Sequence, residues 1–239
     1  MALTQRAASA AYRVGWLAVR RVPESWARWV FRQVADILWR RQGKGVQQLE
    51  ANLRRVVPGA TGQQLRQLSR AGMRSYLRYF MEAFRLPVMP RERIVSGMHV
   101  AGQEQTALAH LRAGRLICLI ADRDLSSGGV EVELFGETTR VAAGPAALAA
   151  QTGAALMPVV LWFEGEGWRG HIHPEIPVPQ HGTRAEKVAA MTQRLAAVWA
   201  AGIAEHPEDW HMLQKVFAAD LEPRCGPRRS RRRRRITPQ

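Results

Sequence analysis

Asp122, Arg123 and Asp124 follow directly on an apolar run at residues 116–121. If that run is a buried strand, the charged triplet stands at the carboxyl edge of an α/β sheet, where active sites form. There Asp122 could orient a general base. The same three residues could equally make a turn or a structural ion pair. His171 and His173 alternate along one expected strand, with no third metal ligand nearby. His206 and His211 flank Pro207-Glu208-Asp209-Trp210 and also lack a ligand partner. No G-x-S-x-G elbow, H-E-x-x-H helix, Walker A loop or G-x-G-x-x-G turn occurs. Cys118 and Cys225 form neither a metal spacing nor a disulfide framework, so a reduced, cytoplasmic setting is expected.

The elements that must position these residues are read from periodicity. Residues 4–21 place Ala8, Ala11, Tyr12, Gly15, Trp16 and Val19 on one helical face, with Arg6, Arg13 and Arg20 elsewhere. A second helix begins at Pro23-Glu24-Ser25. It aligns Trp26, Trp29, Val30, Val34, Ile37 and Leu38. Tryptophans on the apolar side of arginine-rich helices describe elements that lie in a bilayer interface. The plainer alternative is that these faces pack on the body of the protein. Residues 46–57 and 63–86 read as two more helices, and Pro87 and Pro90 end the helical region.

Strands are then expected at 116–121, 130–135, 155–163 and 170–176, with an alanine-rich helix at 187–205. The uncharged stretch 141–163 is long enough to span a bilayer. Pro145 suits a helix start and Gly153 a helix stop, so it reads instead as a short helix, a turn and a buried strand. The element order is that of an α/β domain.

Charge is unevenly placed. The net +15 divides into +13 over residues 1–97, −5 over 98–221 and +7 over 222–239. Two basic ends around a mildly acidic body suggest an anionic surface as partner, either a bilayer or nucleic acid. No secretory signal is evident, because arginines interrupt the apolar stretches near Met1.

Several blocks resemble one family in their ordered combination. They are Leu49-Glu-Ala-Asn-Leu-Arg-Arg-Val-Val-Pro58, Ala121-Asp-Arg-Asp-Leu125, Gly129-Val-Glu-Val-Glu-Leu-Phe-Gly136, Ala143-Gly-Pro-Ala146, Thr152-Gly-Ala-Ala-Leu-Met-Pro158 and His206-Pro-Glu-Asp-Trp-His-Met-Leu-Gln214. Together they resemble the lipid A lauroyl/myristoyl acyltransferase superfamily, and within it the phosphatidylinositol mannoside acyltransferases. The resemblance runs over about residues 5–222. It implies a glycerolipid-acyltransferase-like α/β sandwich with an N-terminal helical region. It also implies transfer of an acyl chain from acyl-CoA, as co-substrate, to a glycolipid hydroxyl, without metal or other cofactor. The family's general base is a histidine in an H-x4-D/E motif.

That motif is missing here. In the family, a segment resembling His99-Val-Ala-Gly-Gln-Glu104 leads through a Gly-Arg turn into the strand that ends in the motif. In this chain Leu111-Arg-Ala-Gly-Arg115 runs straight into residues 116–121 and Asp122, so the sandwich is expected to be truncated. His99 and Glu104 have the spacing but fall on the pre-motif strand. His110 faces Arg115 at the acidic position. The resemblance therefore carries over only Asp122, as the acidic partner of the absent histidine. It adds Arg123 beside it for an anionic headgroup, and Arg140 and Gly144 near a helix start that could face a phosphate. Each has a structural alternative as a cap, turn or ion pair.

The expected organisation is a helical amphipathic region at 1–97, an α/β core at 98–222 and a disordered Arg-rich tail at 223–239. The expected setting is peripheral, on the cytoplasmic face of the inner (plasma) membrane, with an anionic membrane surface, acyl-CoA and a glycolipid acceptor as partners. A non-catalytic protein of the same ancestry fits the same observations. Nucleic-acid binding through Arg228, Arg229 and residues 231–235 is a third reading. It lacks any recognisable binding module, and no specific nucleic acid is expected.

Overall fold

A computed structural model describes residues 16–102, 118–122 and 129–221. Residues 16–21 are helical. There follow α1 (Glu24–Arg40), α2 (Lys44–Val56), α3 (Gly62–Arg85), a 3-10 turn at Leu86–Val88, and the short α4 (Arg91–Gly97). Thr61 caps α3 by accepting from the Gln64 N–H while the Gln64 side chain returns to the Thr61 N–H. This reciprocal pair satisfies donors that a helix start leaves open. Thr183 and Glu186 repeat it later in the chain.

The remaining elements are β1 (Met98–Gly102), β2 (Val130–Leu134), β3 (Glu137–Val141), α5 (Gly144–Thr152), β4 (Val159–Glu164), β5 (Gly167–Ile172), α6 (Arg184–Glu205) and α7 (Ala218–Leu221), with a 3-10 turn at Pro207–Asp209. The described residues thus form a mixture of helices and two small sheets. One sheet has the order β1-β5-β4, with β1 parallel and β4 antiparallel to β5. The other is the β2-β3 hairpin. Its turn residues Phe135 and Gly136 both have positive φ, at 53° and 76°. That geometry matches the twist of tight two-residue hairpins.

Several expectations shift. Residues 118–121 carry no strand: Ile120 is 98% exposed, and only Ala121 is buried. The late strands begin and end at other residues, Val159–Glu164 and Gly167–Ile172. β3 was not expected, since Glu-Thr-Thr-Arg-Val offers little apolar alternation. The stretch 141–163 divides as the sequence suggested. Pro145 lies in the first turn of α5, and Gly153 closes that helix in the left-handed conformation, φ 71°. Among the described residues no helix is long and apolar enough to cross a membrane.

Among the described residues three apolar clusters hold the fold. Val46, Leu49, Leu53, Leu65 and Met73 join α2 to α3. Ala146, Ala149, Val188, Met191 and Leu195 join α5 to α6. Val132, Leu134, Val141, Trp210, Met212 and Phe217 join the hairpin to the segment after α6. That segment runs back over α2: Asn52 donates to the carbonyls of Met212 (2.8 Å) and Gln214 (3.0 Å), and Arg55 reaches Asp220.

α6 lies so close to β4 that a Cβ on Gly202 would meet Val160 methyls at 2.5 and 2.7 Å. An alanine gains about 1 kcal/mol in helix propensity, but overpacking costs about 1–3 kcal/mol. Gly202→Ala is therefore expected to lower stability by a net of up to ~2 kcal/mol, read from urea unfolding, despite its better helix former.

α1 is apolar on its outer side. Ala27, Ala35 and Asp36 are buried inward, whereas Trp26 (68% exposed), Trp29 (61%), Val30, Val34, Ile37 and Leu38 face away from the protein. The inner face combines Ala27, Ala35 and the paired carboxylate with Phe31, which packs edge-on against Phe84 of α3. Asp36 accepts from both Arg70 (3.0 and 2.7 Å) and Arg74 (2.8 and 2.7 Å) on α3. Trp39, at the far end of α1, turns inward and donates to Ser69 (2.9 Å).

Candidate functional site

Asp122 is exposed and follows the buried Ala121. Because residues 118–121 are not a strand, Asp122 is not carried on a sheet rim by them. Arg123 and the tail beyond Leu221 lie outside the described residues, and of His99 only the backbone, in β1, is described. Arg140 is near the end of β3, directly opposite Glu131 in the hairpin register, and donates to it at 2.9 Å. The ion-pair alternative for Arg140 is thus realised, at an exposed site where such pairs contribute little. Gly144 opens α5, whose start has no side-chain cap, and a Cβ there would meet nothing within 4 Å. Arg140 and Gly144 are brought to the same β3–α5 junction.

Histidines cluster elsewhere. His171 and His173 have ring centroids 4.4 Å apart. Burial and the neighbouring His171 lower the His173 pKa, partly opposed by Glu205. His206 stacks on Trp162 at 4.4 Å. Among the described residues no group of three or more His, Cys, Asp or Glu could hold a metal.

One polar constellation was not legible in the sequence. Ser75 on α3 donates to Asp209, and its Oγ lies 2.7 Å from His211 Nε2. Asp209 also accepts from the Phe163 N–H at 2.9 Å. Tyr76 and Tyr79 pack against the His211 ring. The types are those of a nucleophilic triad, but the order is wrong. The carboxylate holds the hydroxyl rather than the imidazole, so Nε2–H must donate to Ser75. Burial pushes the His211 pKa down to about 4. A neutral donor of this kind clamps α3, β4 and the segment after α6 together, and it is a poor base.

The clamp has a pH signature. The unfolded chain binds the His211 proton as pH falls through its ordinary range near 6.5, and the folded chain does so only near 4. Stability therefore falls as pH drops between those values, by about 3 kcal/mol in all at ~1.4 kcal/mol per pH unit. Urea unfolding at pH 7.5 and 4.5 should show this loss in the parent and a flatter dependence in His211→Gln.

The family model described as bacterial lipid A biosynthesis acyltransferase matches residues 1–109 and 105–219. The chain belongs to this family. A phosphatidylinositol mannoside acyltransferase of Mycolicibacterium smegmatis (strain ATCC 700084 / mc(2)155) is 35% identical over 284 aligned positions, covering 88% of this chain and 91% of the relative. Proteins of the same name from Mycobacterium tuberculosis, strains CDC 1551 / Oshkosh and ATCC 25618 / H37Rv, are 33% identical over 306 positions, covering 96% of this chain and 95% of each relative. Asp209 and His211 stand together in the stretch 206–214. Their hydroxyl partner, Ser75, is 134 positions from Asp209. No local spacing could have indicated it.

Proposed function

We propose that this chain is built for acyl transfer from acyl-CoA to a mannose hydroxyl of phosphatidylinositol mannoside, at an anionic membrane surface on the cytoplasmic side of the plasma membrane. The observation that carries the reading is the match to two named mycobacterial relatives over 88% and 96% of the chain. The outer face of α1 supports surface docking. Trp26 and Trp29 project with four aliphatic side chains, and Arg32, Arg40 and Arg41 are exposed on the same helix or at its end. Tryptophan rings bury into the headgroup boundary while arginines meet lipid phosphates.

In the transfer, the mannose oxygen forms the ester bond to the acyl carbon and the carbon–sulfur bond breaks. The proton leaves the hydroxyl and ends on the departing thiolate. A general base speeds this by about 10²–10⁴-fold. In this reading Asp122 supplies the acidic half of such a pair, and neither sequence match to H-x4-E supplies its base: His99–Glu104 falls at β1, and the Glu186 of His181–Glu186 caps α6 through Thr183. We assign this chain the membrane habit of its family and little of its rate.

The test is transfer of radiolabelled acyl groups from acyl-CoA to phosphatidylinositol mannoside in vesicles, beside the Mycolicibacterium relative. The expected rate is at least about a hundredfold below that relative. Transfer at the relative's rate, unchanged in an Asp122→Asn, His99→Ala double variant, would refute the mechanism. No transfer even at long times and high enzyme concentration would leave a non-catalytic surface protein.

A further inference from the structure

The β1-β5-β4 sheet carries a pair of imidazoles on a backbone held from both sides. His171 lies in β5, the middle strand, opposite Val160 of β4 and Ala101 of β1. His173 stands just past the end of β5, where its N–H still donates to the Pro158 carbonyl at 2.9 Å. Residues two apart on an extended strand project to the same side. That side is the one covered by α6, since Val160, opposite His171, meets Gly202. The two half-buried rings have centroids 4.4 Å apart and planes tilted by 38°.

The charge around the pair favours a cation. Glu205 is three residues after Gly202, so both lie on the face of α6 turned to the sheet. Its exposed carboxylate acts on His173 in the sense that favours positive charge. Glu205 is also the last residue of α6, where a helix leaves partly negative carbonyls. Arg169, on the same strand face, is already paired with Glu164. His206 is turned to Trp162 instead.

The spacing of the rings suits a shared ion. Two imidazoles bound side by side to one metal, with metal–nitrogen bonds of about 2.0–2.1 Å, place their ring centres roughly 4.5–5 Å apart. We propose that His171 and His173 chelate a late first-row divalent ion, of the class Ni²⁺, Cu²⁺ and Zn²⁺, with Glu205 as the nearby countercharge and water in the remaining positions. Imidazole nitrogen suits these ions, whereas Mg²⁺ and Ca²⁺ take oxygen. Among the described residues no group of three or more His, Cys, Asp or Glu could hold a metal. The pair is therefore an open, exchangeable site and not a closed structural one. The inference does not depend on the acyl-transfer reading.

The experiment titrates Zn²⁺ calorimetrically into the full chain, free of any affinity tag, at pH 7.5. Cys118→Ala and Cys225→Ala remove the thiols throughout. One saturable Zn²⁺ per chain is expected, with no saturable Mg²⁺. His171→Gln and His173→Gln should each weaken Zn²⁺ binding by about tenfold or more. His181→Gln, at an exposed position before α6, should leave it unchanged. Equal affinity in the parent and both site variants would overturn the proposal, as would the absence of saturable Zn²⁺ binding.

If a site variant does not fold, footprinting of the otherwise unchanged chain decides. Diethyl pyrocarbonate modifies accessible imidazoles, and mass spectrometry locates the adducts. Saturating Zn²⁺ should slow modification of His171 and His173 by about tenfold or more while His181 reacts as before. Unchanged modification of His171 and His173 would overturn the proposal. Equal protection of His181 would also overturn it, because the ion would then be held without preference for the pair.

Discussion

A Trp26→Glu, Trp29→Glu double variant should partition at least about a hundredfold less onto vesicles containing anionic lipid, while its Tm stays nearly unchanged. The two rings are 68% and 61% exposed, so the folded protein loses little by their replacement. At a bilayer the balance differs. Burying most of each ring contributes roughly 1–2 kcal/mol. Each new carboxylate opposes the negative surface by about 1 kcal/mol. Together these reach about 4–6 kcal/mol, roughly three to four decades if insertion is complete. Vesicle flotation at two anionic-lipid contents measures it. Equal binding by parent and double variant would remove α1 from the docking surface. Indifference of the parent to lipid charge would remove the arginines.

The second large effect concerns what keeps that face outward. Asp36→Ala is expected to destabilise the protein by about 1–3 kcal/mol: the carboxylate is buried, but Arg70 and Arg74 are 38% and 30% exposed and stay solvated without it. Four hydrogen bonds from Arg70 and Arg74 end on this one carboxylate. Those bonds hold the Asp36 pKa well below the usual carboxylate range, Arg70 contributing most and Arg74 next, with burial opposing them. Arg70 and Arg74 are one helical turn apart, so without Asp36 they also repel. The sign with pH follows from the lowered value. The contribution is complete above the unfolded carboxylate's pKa near 4 and is lost as pH falls below it. Urea unfolding at pH 7 and pH 3 should show the difference between parent and Asp36→Ala beginning to narrow at the lower pH, most of it persisting because the folded carboxyl stays ionised well below pH 3. A difference wholly unchanged at pH 3 would assign the loss to packing.

How much was legible beforehand depended on distance along the chain. Pro145 and Gly153 announced α5, because a proline start and a glycine stop are local requirements. The apolar stripe of α1 was legible as a stripe. Its direction was not, because Ala27, Ala35 and Asp36 define the inner face only once Arg70 and Arg74 are placed. Residues 118–121 misled, since Leu119 and Ile120 have strand composition but are exposed here. β3 was hidden by its polar alternation, although Phe135-Gly136 marks its turn. The Ser75–Asp209–His211 clamp had no local signal. Asp122, Arg140 and Gly144 were singled out through the family resemblance; the structure gives Arg140 an ion pair with Glu131 and Gly144 an open environment.

The return of residues 208–220 over α2 has a consequence for synthesis. Asn52, Gln48 and Arg55 hold their hydrogen-bond partners more than 150 positions downstream. At about 5–20 residues per second, a ribosome needs on the order of ten seconds between completing α3 and releasing those partners. For that interval the nascent helices carry an unfilled polar groove on one side and exposed tryptophans on the other. A growing polypeptide in this condition is suited to early capture by a chaperone or by lipid, before its last turn of helix has been made.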